Sequence, residues 1–60
     1  MRKAAANKLH DRDEVKVRIG TDWIPGYVCG DPKITDEGTF VSVLTGSEGY
    51  LHRVHHTDIR

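Results

Sequence analysis

Cysteine is almost absent from this sixty-residue chain: Cys29 stands alone. A single thiol cannot close an internal disulfide. Without a Cys pair, a thiolate zinc site of the kind that staples many small domains is also excluded. No apolar run approaches the ~18 residues of a membrane span. Ala4-Ala5-Ala6 follow Arg2-Lys3, but Asn7, Lys8 and His10 end that stretch too early for a secretory signal. Gly20, Gly26 and Gly30 are too widely spaced among strand-type residues to form a phosphate-cradling loop. Repeats and low-complexity tracts are missing, and so is net charge: nine basic groups balance nine acidic ones. That balance argues against a histone-type nucleic-acid binder. These absences predict a soluble, intracellular, cytoplasmic protein (in the host cytoplasm if virus-encoded). They also predict no cofactor, no metal, no membrane and no small-molecule substrate.

A domain this short buries only about 60% of its unfolded surface. With disulfide and zinc staples excluded, the remaining routes to stability are a tightly wound barrel or self-association. The charge that is present is unevenly spread. Residues 1–12 carry Arg2, Lys3, Lys8 and Arg12 against Asp11, residues 13–50 hold three basic and seven acidic groups, and residues 51–60 are weakly basic and His-rich. Such asymmetry suits a partner or self-docking.

Residues 1–12 lack a strand pattern. Three alanines and Lys8-Leu9 favour helix, yet so short a segment is marginal alone in water. It is predicted to be a flexible basic arm with at most one helical turn formed on contact. From Glu14 the pattern changes. Val15, Val17 and Ile19 alternate with charged residues, the period-2 signal of a half-buried strand. Gly20-Thr21-Asp22 reads as a turn and Trp23 to Gly30 as a second strand. Pro25 there demands an edge, a bulge or a strand start, and Gly26 a bend. Asp31-Pro32-Lys33 begins a loop, with Ile34 as its hydrophobic plug, and Asp36-Glu37-Gly38 ends it. Thr39 to Thr45 is β-branched and aromatic, with Val41 and Val43 on one face and Phe40 and Leu44 on the other. Gly46-Ser47-Glu48-Gly49 turns the chain into a strand from Tyr50 to Val54. A helical turn over His55–Asp58 follows, and Ile59 is the last inward residue. The expected fold is therefore all-β: a small SH3-like barrel of about five antiparallel strands over residues 13–60, behind the arm.

From Asp13 onward the chain resembles the SH3-like small barrels of the Tudor and Agenet kind. The residues that carry the likeness are Asp13-Glu14-Val15-Lys16-Val17, Trp23 to Val28, Gly38 to Val43, Val54 and Asp58-Ile59-Arg60. The resemblance implies an aromatic cage for methylated Lys or Arg, with Trp23 and Tyr27 near its first wall. Leu44-Thr45-Gly46 stands where the opposite wall would need an aromatic. The run Val15, Gly20, Trp23, Gly26, Val28, Gly30, Glu37-Gly38 is also similar to the plasmid-borne, trimethoprim-insensitive dihydrofolate reductases, which are tetrameric barrels with a central pore. Their catalytic Gln-Ile-Tyr stretch has no counterpart in Leu51-His52-Arg53-Val54-His55, so what carries over is the barrel and an oligomer.

His52, His55 and His56 are the most chemical-looking residues. In a strand, His52 and His56 share a face and His55 points away, so three imidazoles do not converge on one ion. Cys29, His52 and Asp58 could in principle form a nucleophilic set, but a barrel this shallow cannot desolvate one. The chain is not expected to be an enzyme. Its expected function is non-catalytic binding, foremost to a protein or to another copy of itself, as suits a small virus- or plasmid-encoded accessory or assembly factor. Trp23, Pro25, Tyr27, Phe40 and Tyr50 are the candidate docking residues. The runner-up is a nucleic-acid-binding barrel, with Arg2, Lys3, Lys8, Arg12, Arg18 and Arg53 as phosphate contacts. An oligomeric pore-type reductase ranks third.

Overall fold

The computed structural model describes all sixty residues. A helical turn, α1 (Lys3–Ala6), precedes five strands: β1 (Glu14–Ile19), β2 (Asp22–Val28), β3 (Lys33–Thr35), β4 (Gly38–Thr45) and β5 (Tyr50–His55). A 3-10 turn, His56–Asp58, and Ile59 complete the chain. All pairings are antiparallel, so the all-β class expected from the alternation is the one adopted.

β4 organises the sheet. One of its edges pairs with β5 over its whole central length, from Phe40↔His55 to Thr45↔Tyr50. The other edge is divided between β3, at Gly38 to Phe40, and β2, at Val43 to Thr45. The sheet curls until its ends meet. Ile59 bridges Val17, while Lys16 and Arg60 exchange backbone hydrogen bonds of 2.9 and 2.8 Å. That exchange also explains the proline. Lys16 directs its N–H and C=O toward Arg60, so its pairing with Pro25 on the opposite side lacks hydrogen bonds. The nitrogen of Pro25 therefore points away from β1, to an edge that β4 has not yet reached, because β2–β4 pairing begins at Gly26. Gly26 is needed for that crossing: a Cβ there would lie 2.6 Å from the Leu44 carbonyl oxygen.

The core is small and aliphatic. Val15, Val17, Val28, Val41, Val43, Val54 and Ile59 form it, with Met1, Leu9 and Ile24 packed against it. Each such side chain contributes about 1.5–3 kcal/mol by leaving water. No aromatic ring is buried in it, so Trp23 and Phe40, both half-buried, lie at its margins.

Three expectations are corrected. The N-terminal segment, read as a flexible arm, packs on the barrel. Ala6 is buried, the Met1 ammonium donates to the Ile59 carbonyl, and the Thr39 hydroxyl donates to the Asn7 side chain. The barrel end left open by its few core side chains is covered by these residues. Ile34 is no plug: it sits in β3, paired with Thr39 of β4, and is 62% exposed. Strand β2 stops at Val28, and Cys29 is exposed, with its N–H donating to Ser42 at 2.8 Å.

Candidate docking face and the two ends of the hairpin

Antiparallel register decides which outward side chains meet, because directly opposed residues share a face. On the outside of the sheet, Tyr27 of β2 faces Leu44 of β4, and Leu44 faces Leu51 of β5. This makes one apolar row across three strands, with exposures of 54, 36 and 63%. An open groove of about 610 Å³ adjoins it, with Pro25, Gly26, Tyr27, Leu44 and Gly46 among its lining and Glu14, Lys16 and Arg60 around it.

The five docking residues expected from the sequence are thus divided. Pro25 and Tyr27 share the groove. Trp23 lies on the same face of β2, but its ring is covered: the Arg60 guanidinium lies 4.1 Å from the ring centroid and that of Arg18 5.9 Å. Phe40 is four residues from Leu44, near the other end of β4, edge-on to His55 with centroids 5.1 Å apart. Tyr50 leans over the β4–β5 turn, where its hydroxyl donates to Glu48 at 2.8 Å. Leu51 was the residue missed. A four-residue turn that pairs Thr45 with Tyr50 necessarily places Leu44 opposite Leu51, so the turn length carried the signal.

The six candidate phosphate contacts divide as well. Arg18 is paired with Asp58, and Arg12 lies 3.8 Å from Asp11. Arg2, Lys3, Lys8 and Arg53 have no ion-pair partner, and neither does Lys33, which sequence reasoning passed over.

The opposite end of the hairpin is tied together by histidines. His55 Nε2 donates to the Glu37 carbonyl at 2.8 Å, and its Nδ1 accepts from the Thr57 N–H at 3.3 Å and the Thr57 hydroxyl at 2.9 Å. His56 Nδ1 accepts from the Thr39 N–H at 3.2 Å. A backbone N–H can only donate, so Nδ1 is the accepting nitrogen in both rings. Their centroids are 4.2 Å apart. Loss of water contact, then His55, the Met1 ammonium and Lys3 hold the pKa of His56 below its usual value. His52, on the inner face, bonds Thr45 at 2.9 Å. The three imidazoles do not converge, and no group of three metal-ligand side chains comes together anywhere in the chain.

No helix is long and apolar enough to cross a membrane. No protein-family model matches the chain, and neither a curated protein nor a solved structure matches it detectably.

Proposed function

We propose that the protein is a non-catalytic binding module of the accessory or assembly type. Its docking face is the Tyr27–Leu44–Leu51 row with the adjoining groove, and its partner is a protein. The observation that carries this reading is the row itself. Three large apolar side chains from three strands stand in register on the outside of a domain whose core has only seven members. Contiguous apolar surface of this kind is characteristic of interaction sites. The neighbouring Pro25 and Tyr27 supply a rigid wall, so little side-chain entropy is lost on docking. Trp23, engaged by Arg60, favours a surface over a methyl-ammonium cage.

The test is photo-crosslinking from position 51 in the source cells, followed by affinity measurement with the captured protein. Tyr27→Ser and Leu51→Ser are expected to weaken binding at least about tenfold each, the range for central interface residues. Unchanged affinity in both variants would remove the row from consideration.

A further inference from the structure

Near its Phe40 end, the outer face of β3, β4 and β5 carries a second, chemically different surface. Lys33 faces Phe40, Phe40 faces His55, and one row further along Ser42 faces Arg53. None of these outward positions is a carboxylate. The acidic residues of the middle of the chain fall instead in or beside the connections: Asp31 before β3, Asp36 and Glu37 between β3 and β4, Glu48 between β4 and β5. The other three acidic residues of 13–50 lie at the far side of the sheet, Asp13 and Glu14 at the start of β1 and Asp22 at the start of β2, so the register leaves this face positive. Lys33 and Arg53 have no ion-pair partner.

We propose that this face binds single-stranded nucleic acid. Phe40, half-buried and steadied by the His55 edge, stacks a base. Lys33 and Arg53, on the two strands that flank β4, contact phosphates to either side of it. Aromatic rings interleaved with unpaired cations are the general device for holding single strands without sequence preference. The site goes beyond the protein-docking row, which lies toward the other end of β4 and contains no cation.

The experiment is fluorescence anisotropy of a fluorescein-labelled oligothymidylate of about 12 nucleotides. Binding in the range of about 10⁻⁶–10⁻⁴ M at low salt is expected, with log K falling against log salt at a slope of about −1.4 or steeper for two phosphates. Lys33→Glu combined with Arg53→Glu, both exposed positions, should weaken binding at least about tenfold and flatten the slope by about 1.4. Phe40→Leu should weaken it about threefold to tenfold with the slope unchanged. Leu51→Ser should leave it as it is, which separates this site from the docking row. The proposal falls if the oligonucleotide does not bind at low salt, or if the charge reversals leave binding intact. It falls equally if polyglutamate displaces the oligonucleotide as readily as unlabelled strand does, because the face would then read acidic polypeptide.

Discussion

The β4–β5 hairpin has two unlike ends. At the Gly38–Phe40 end, side chains are bonded to backbone, His55 to Glu37 and Thr57 and His56 to Thr39, and the Thr39 hydroxyl donates to the Asn7 side chain. The N-terminal segment lies over them. At the Thr45–Tyr50 end, the connection is a glycine-bounded turn, and Leu44, Leu51 and Tyr50 stand exposed. One end closes the barrel with specific polar contacts, and the other leaves apolar surface in water. The same pair of strands therefore differs along its length, with polar closure of the barrel at one end and exposed apolar surface at the other.

Glycine substitutions should show this contrast most strongly. Gly38 has φ +133, and a Cβ there would overlap His55 Nε2 and come within 2.8 Å of the His56 ring. Backbone strain and overpacking each cost about 1–3 kcal/mol. Gly38→Ala should thus lose about 3 kcal/mol or more, a large share of the ~3–9 kcal/mol expected for a chain of this size. Gly49 has φ +73 with open space around it, so Gly49→Ala should lose only about 1 kcal/mol. Thermal unfolding followed by circular dichroism measures both. Equal losses would erase the distinction between the ends.

Acid should act on the closed end first. The folded pKa of His56 is lowered, so in this region of pH the unfolded chain binds the extra proton. Its contribution to stability is therefore fully present above the unfolded value near 6.5 and is lost as pH falls from there through the folded pKa. Protonation would also take the acceptor from the Thr39 N–H and place a cation beside the Met1 ammonium and Lys3. The urea midpoint should drop between pH about 7.5 and about 5.5, and His56→Gln should flatten that drop. A midpoint that falls equally in the variant would locate the titration elsewhere.

The open end should behave in the opposite way. Leu51→Ser and Tyr27→Ser remove exposed side chains, so stability should change by no more than about 0.5 kcal/mol while partner affinity falls. A larger loss of stability would mean that the row packs into the fold and is no free docking surface.

Local pattern revealed much of this architecture, and long-range pairing supplied the rest. Val15, Val17, Val41 and Val43 announced their strands because a half-buried sheet imposes a period of two. Pro25 announced an edge because it lacks a donor, whereas Gly26, read as a bend, is required instead by the close approach of β4. The docking of Met1 on Ile59 and of Asn7 on Thr39 could not be read, because nothing local encodes contacts 58 and 32 residues apart. The candidate faces were only half legible. Aromatics drew attention to Trp23, Phe40 and Tyr50, whereas the docking row depends on register, which joins Tyr27 to the less conspicuous Leu44 and Leu51. Lys33 was hidden for the same reason, inside a segment taken for a loop.

The smallest effect concerns the seam between β1 and the C-terminus, beside the open groove. Arg60 stacks on Trp23 and also donates and accepts the backbone hydrogen bonds that hold Ile59 against β1. The two roles separate by substitution, since Arg60→Ala keeps the backbone bonds and removes only the guanidinium. An exposed cation–π contact contributes about 0.5–1 kcal/mol, and the thermal midpoint should fall accordingly. Trp23 fluorescence should change at the same time, because its ring face becomes open to water. Arg60→Lys should recover only part of the loss, as an ammonium lacks the planar face that stacks on indole. If Arg60→Ala alters the fluorescence without moving the midpoint, the stacking merely covers Trp23. That ring would then be free to join Pro25 and Tyr27, extending the docking face from the open end along β2.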